Sequence, residues 1–233
     1  MKWSGPCGGD ADAEWTETTL NALMLEAIVD KYDVKKTHKE LYSPPSKELT
    51  VVDVPEFQYI AIEGSGDPNT SAGYANAVAA LYGVAYALKF ASKKTLGRDF
   101  VVAPLEGLWR ADDPTVFTTR DKDSWEWTMM ISQPDWITED MVRAAVDSVS
   151  KKKDNPALAD IRPHTLIERT CVQILHIGSY DDEAPVLDRL HNQYMPEHGL
   201  TFNGDHHEIY LSDPRKTAPT KLKTVLRQPV KPG

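Results

Sequence analysis

Only two cysteines occur in the 233 residues, Cys7 and Cys171, too few for a disulfide framework or a thiolate zinc cluster. That scarcity suits a reducing compartment, and a cytoplasmic location is expected. Long apolar runs are also missing. No stretch approaches the roughly 20 residues that span a bilayer, and the N-terminus has no apolar core before a small-residue cleavage site, so no membrane partner is expected. Positive charge is short as well: 26 Lys and Arg face 35 Asp and Glu, a formal net charge of −9, the wrong sign for tracking phosphate backbones. Direct nucleic-acid binding is not expected. Gly64-Ser65-Gly66 is too short to cradle a phosphate, and Ser65 and Ser179 lack a nucleophile-elbow context. No cofactor is implied.

What remains is ordinary globular material. Hydrophobic residues are 41% and charged residues 26%, which excludes a disordered chain and leaves enough length for a sizeable core. Residues 1–12 read as a loose tail and 13–30 as one amphipathic helix, with Leu20, Leu23, Met24, Ala27 and Ile28 at three- and four-residue steps. Residues 31–47, ending in Tyr42-Ser43-Pro44-Pro45, read as a basic linker. Residues 1–47 are thus set apart as tail, helix and linker.

The body, 48–233, then divides. Residues 50–63 predict two strand pieces around Pro55, Gly64 to Pro68 a turn, and Ser71 the cap of a long helix with Val78, Leu81, Ala85 and Leu88 in one stripe. Strands are predicted over 100–108 and 125–132, and a second helix after Thr138, ending at Lys151, Lys152 and Lys153. From His164 the pattern restarts: strands over 164–169 and 171–177, a turn at Gly178, a helix through Leu190 and Tyr194 stopped by Gly199, and strands over 206–211 and 222–227. The order strand, turn, helix, strand, strand occurs twice. Gly64-Ser65-Gly66-Asp67 matches Gly178-Ser179-Tyr180-Asp181 at three of four places, and Gln133-Pro134 matches Gln228-Pro229. The expectation is an α+β fold of two β-α-β-β units, 48–154 with an extra helix and 155–233. A pseudo-twofold axis would relate them, with a ligand cleft between their uncovered sheet faces.

The stretch most suggestive of chemistry is His206-His207-Glu208-Ile209-Tyr210-Leu211. As a strand it sends His207, Ile209 and Leu211 one way and His206, Glu208 and Tyr210 the other. A partly desolvated Glu208 suits a general base that activates water, and otherwise is an exposed strand carboxylate. By the repeat, residues 100–109 correspond to 205–214, which makes Glu106 a second candidate carboxylate. Tyr180 is a candidate proton donor to a developing oxyanion. His206, Tyr210 and Glu183 join these as ligand contacts. Trp109, Trp125, Trp127 and Trp136, with Tyr59, read either as aromatic cleft walls or as core. His176, in an apolar strand, is either a ligand contact or a hydrogen-bonded structural histidine. His206 and His207 are strand neighbours and cannot chelate one ion together, so no metal is expected.

Three runs resemble the GyrI-like small-molecule-binding proteins: Cys171-Val172-Gln173-Ile174-Leu175-His176-Ile177-Gly178 with Tyr180-Asp181-Asp182-Glu183, Pro104-Leu105-Glu106-Gly107-Leu108-Trp109, and His206 to Lys216. The resemblance covers roughly residues 32–229. It implies two fused β-α-β-β units, a cleft for flat, often aromatic or cationic ligands, and an acidic residue at the position of Glu208. Some stand-alone members resembling this chain hydrolyse cyclopropane-bearing antibiotics of the yatakemycin and duocarmycin type, which implies water addition and self-protection or detoxification. Others imply a non-catalytic module that sequesters or senses such ligands, or a protein partner that inhibits gyrase.

Overall fold

The computed structural model describes residues 31–111 and 121–233. The tail and helix expected over 1–30 lie outside the described residues. In chain order the elements are α1 (Val34–Thr37), α2 (Lys39–Tyr42), β1 (Thr50–Val54), β2 (Phe57–Ser65), α3 (Ala72–Leu96), β3 (Leu105–Arg110), β4 (Glu126–Gln133), α4 (Glu139–Ser150), β5 (Arg162–Leu166), β6 (Arg169–Ile177), α5 (Ala184–Asp188), α6 (Met195–Glu197), β7 (Leu200–Phe202), β8 (His206–Tyr210) and β9 (Lys223–Pro232). No described helix is long and apolar enough to cross a membrane.

The strands form one antiparallel sheet in the order β1-β6-β9-β8-β3-β4-β2-β5, with β7 beside β9. The duplicated α+β architecture expected from the repeat is present, with β2-α3-β3-β4 answering β6-α5-β8-β9 about the central β3–β8 pair. The two half-sheets join edge to edge through the β3–β8 pair. The outer strands also change sides: β1 pairs with β6 of the second half, and β5 with β2 of the first.

Local chemistry explains where the elements begin and end. In α3 the alanine-rich run favours helix, the Ser71 hydroxyl accepts from Tyr74 N at 3.2 Å, and Gly97 at φ +67 ends the helix. The strand expected over 100–108 starts only at Leu105, because Pro104 has no N–H for the ladder. Phe100 instead bridges Tyr32. The helix expected before Gly199 is interrupted. Pro196 lacks the donor for its own helical bond, and the chain re-registers through a π turn, Arg189–Tyr194, in which Met195 N bonds Leu190 O five residues back. The last strand does not close at Gln228-Pro229 but continues to Pro232, since Pro229 keeps an acceptor and its carbonyl takes Asn203 N at 3.0 Å.

Residues 31–47 are not a mere linker. Val34, Leu41 and Tyr42 are buried, and the segment belongs to the same compact unit as the sheet, Lys31 to Gly233. α3 packs on β2 and β4 on one side of the sheet, while α2 reaches the other side through Tyr42 and Leu41.

Candidate functional site

At the centre of the sheet Leu105 pairs with Tyr210, Gly107 with Glu208 and Trp109 with His206. Directly opposed residues share a face. Glu208, Tyr210, His206 and Trp109 therefore point to the α3 side, and Glu106, Leu108, His207 and Ile209 to the α2 side.

On the α3 side an aromatic enclosure surrounds Glu208. Trp109 Nε1 donates to the Tyr210 hydroxyl at 3.0 Å, and this bond passes over Gly107. A Cβ there would collide with the Met129 methyl and stand 3.2 Å from both Trp109 Nε1 and the Tyr210 hydroxyl, so the glycine makes room for the pair. Tyr74, in the first turn of α3, stacks on Trp109 at 6.4 Å and meets Trp127 edge-on at 5.3 Å. Trp125 meets Trp109 edge-on at 5.5 Å, and Tyr180 meets Tyr210 at 5.8 Å. Trp127 lies over Gly64, where a Cβ would strike its ring.

Two carboxyls sit in this enclosure. Burial pushes Glu208 up to about 7, against the pull of Tyr210, the His207 charge and Trp109. Burial, and then the Glu208 charge, raise Glu183 further, and the nearby Thr224 hydroxyl only partly offsets this. The pair holds a proton near neutrality, with Glu183 the natural acid and Glu208 the ionisable partner. Burial, then Glu208 and Glu183, push Tyr180 up to about 12 and keep it a donor. His206 Nε2 lies 3.7 Å from Glu208 Oε1. Burial, with His191 and His207 nearby, holds that ring down at about 3, so the contact is polar and not ionic.

The opposite side is built differently. Tyr42 and Tyr59 donate to the two oxygens of Glu106 at 2.8 and 3.0 Å, and His207 Nε2 lies 3.1 Å from Glu106 Oε2. His207 Nδ1 is 3.0 Å from Glu168 Oε1, and Arg227 donates to Glu168 Oε2 at 3.2 Å, Gln173 Oε1 at 3.1 Å and Leu41 O at 2.9 Å. Burial pulls His207 down, but Glu168 and Glu106 outweigh it and hold the imidazolium up at about 9. Burial raises Glu168, but His207 and Arg227 outweigh it and bring it to about 2. Arg169, immediately after Glu168, takes a left-handed φ of +61, a conformation that costs a non-glycine residue about 1–2 kcal/mol.

The two sides differ in completeness. The carboxylates, imidazolium and guanidinium of the α2 side bond one another, tyrosines or backbone. On the α3 side Trp127 Nε1 is buried without a hydrogen-bond partner, and Glu183 Oε1, Thr224 Oγ1 and both ring nitrogens of His206 make no well-formed bond, Glu183 having Thr224 nearby and His206 having Gln228. Buried polar groups are normally satisfied, and exceptions mark places that meet a ligand or water.

The structure brings Glu208, Tyr180, Glu183, Tyr210, His206, Trp109, Trp125 and Trp127 to one side. His176 shares that side, its Nε2 3.0 Å from Ser179 O. It leaves out three expected residues. Glu106 and Tyr59 belong to the α2-side network, because the β3–β8 register sets Glu106 opposite Ile209. Trp136 packs by Ser92, Tyr32 and Phe100, near the far end of α3, roughly 27 Å along the helix from Tyr74. Tyr74 and Gly107 were not anticipated. Tyr74 lies four residues before Val78 and extends the apolar stripe of α3, a readable signal; Gly107 gave none beyond being a glycine in a strand. Among the described residues no group of three or more His, Cys, Asp or Glu is placed to hold a metal.

Residues 47–231 match the family model described as a GyrI-like small molecule binding domain. An uncharacterized conserved protein from Listeria innocua is 38% identical with a TM-score of 0.79, and the match covers 86% of this chain and all of that one. A hydrolase from Listeria innocua is 37% identical with a TM-score of 0.75 over the same shares. The EcmrR C-terminal domain has the same fold at 12% identity and a TM-score of 0.52, over 80% of this chain and 98% of that one. No curated protein matches the chain. With the family match spanning most of the chain and the fold shared with those relatives, the chain belongs to the GyrI-like small molecule binding domain family.

Proposed function

We propose that the chain hydrolyses planar, hydrophobic small molecules bearing a strained cyclopropane, of the yatakemycin and duocarmycin type, and so protects the cell that makes or meets them. The observation that carries this reading is the close placement of two carboxyls, Glu208 and Glu183, both pushed up by burial, inside an aromatic enclosure that leaves the Trp127 N–H without a partner. The hydrolase from Listeria innocua supports water-adding chemistry.

In the proposed step Glu208 takes a proton from water as its oxygen attacks the cyclopropane methylene. The C–C bond of the ring breaks, and its electron pair flows through the conjugated dienone to the carbonyl oxygen. Tyr180 or Glu183 donates to that oxygen, and the proton held by Glu208 returns the donor to its starting state. The sum is one water added: hydroxyl on the methylene and hydrogen on the phenol. Trp109, Trp125, Trp127, Tyr74 and Tyr210 would flank the flat ligand. Ring strain keeps the catalytic demand modest.

The second reading is capture without turnover. It is favoured by the same buried acidic pair walled by rings, which suits a flat cation that undergoes no chemistry. Incubating the protein with a cyclopropanoid and following ring-opened product decides between them. Tight binding with no product sinks the hydrolase reading.

A further inference from the structure

We propose that His207, locked as an imidazolium on the α2 side of the sheet, is the positioning residue for Glu208 on the other side, fixing a positive charge beneath the reactive carboxyl. This rests on Glu208 as the ionising group of the site, but its test needs no substrate.

The geometry favours the charge on His207. Both ring nitrogens lie within 3.1 Å of a carboxylate oxygen, Nε2 by Glu106 and Nδ1 by Glu168. A neutral ring would turn one bare lone pair toward a carboxylate, so this arrangement favours hydrogen on both nitrogens. The ring has no freedom to leave, since its side chain is fully buried and each counter-ion is pinned in turn. Glu106 is held by Tyr42 from α2 and Tyr59 from β2, and Glu168 by Arg227 from β9. His207 and Glu208 are consecutive on β8, so their Cα atoms are about 3.8 Å apart while their side chains leave opposite faces. Only the thickness of one strand separates the fixed cation from the carboxyl.

The groups around each partner set the direction of the effect. Glu106, Glu168, Arg227, Tyr42 and Tyr59 face His207; Glu183, Tyr180, Tyr210, Tyr74, Trp109 and His206 face Glu208. Among the second set none is cationic, because burial keeps His206 neutral. His207 thus supplies the nearby positive charge that opposes burial of Glu208. Tyr42, and the Leu41 carbonyl that receives Arg227, come from residues ahead of the 47–231 family match. The segment before β1 is therefore part of the device.

The test is titration of the ligand-free protein by carbon-detected NMR of labelled glutamate carboxyls, with Glu208→Gln assigning the signal. His207→Gln, which removes the cation, is expected to raise the Glu208 midpoint by about one pH unit, and Glu106→Gln, which leaves Nε2 facing an amide and lets the ring lose its proton, to raise it in the same direction. A role confined to holding the fold would not tie the Glu208 midpoint to the protonation of the His207 ring, read from its nitrogen shifts in the same variants. Folded variants whose midpoints stay at the wild-type value overturn the proposal. Should either variant fail to fold, the wild-type ring still answers: nitrogen shifts showing His207 doubly protonated at pH 7.5 support it, and a neutral ring at that pH overturns it. A protein that never turns over cyclopropanoids, yet whose Glu208 midpoint follows the charge on His207, would refute the hydrolase reading and leave this one standing.

Discussion

Glu106 and Glu208 sit on adjacent strands one residue out of register, Glu106 opposite Ile209 and Glu208 opposite Gly107. That single offset sends one carboxylate into a satisfied ion network and the other into an aromatic enclosure with an unpartnered Trp127 N–H. Substitutions at the two should therefore behave in opposite ways.

Glu208→Gln is expected to lower turnover of a cyclopropanoid by about two orders of magnitude or more while leaving thermal stability unchanged or higher, because desolvating a carboxyl costs folding free energy. Product assay and thermal unfolding on the same preparation check both halves. Full activity in the variant would remove Glu208 from the chemistry.

The rate should follow the ionisation of Glu208. A base must be deprotonated, and burial lifts this carboxyl to about 7. Below that pH, kcat/KM should fall about tenfold per unit, and above it the profile should level. A break near the ordinary glutamate value, or a flat profile, would contradict the assignment.

Gly107→Ala tests the space beneath the Trp109–Tyr210 bond. The added methyl meets the flexible end of Met129 and crowds both hydrogen-bonding atoms. A loss of about 1–3 kcal/mol in urea unfolding is expected, with weaker ligand binding by calorimetry. Unaltered affinity would show that the bond over Gly107 does not shape the site.

Arg227→Met removes a guanidinium held by Glu168, Gln173 and Leu41 O. It leaves Glu168 buried with only His207 as counter-ion, and a destabilisation of about 3–5 kcal/mol is expected in chemical denaturation. A loss below about 1 kcal/mol would mean the network rearranges around the gap.

Stability should also bend at both ends of the pH scale. His207 is raised from 6.5 to about 9, so its contribution is complete below 6.5 and is lost as pH climbs through 9. Glu168 is depressed from 4.5 to about 2, so its share is complete above 4.5 and is lost as pH falls through 2. Denaturation midpoints at pH 3, 6 and 10 check this; equal midpoints at 6 and 10 would exclude a charged His207.

The sequence reached the fold because periodicity and turn chemistry are local. The alternation across residues 206–211 separates His207 and Ile209 from His206, Glu208 and Tyr210 without any knowledge of neighbours, and the Ser71 cap and Gly97 bracket α3 by composition alone. Register between β3 and β8 is not local. A one-residue slip exchanges every side chain across the faces, so nothing within residues 104–109 reveals that Glu106 parts company with Glu208. The α2-side network joins Tyr42, Glu106, Glu168, His207 and Arg227 from across the chain, and no motif unites them. Residues 31–47 read as a linker for a related reason: a basic surface and two prolines resemble one, whereas burial of Val34, Leu41 and Tyr42 ties the segment to the sheet.

The exchange of outer strands gives the duplication a mechanical meaning. With β1 laid against β6 and β5 against β2, each half is hemmed by the other's chain like two hands with interlaced fingers. Cutting between residues 154 and 155 would strip a strand from both halves and bare two long edges, β2 and β6, to pairing with strangers. Each half therefore completes its sheet only with a strand carried by the other, so neither can close its edges alone.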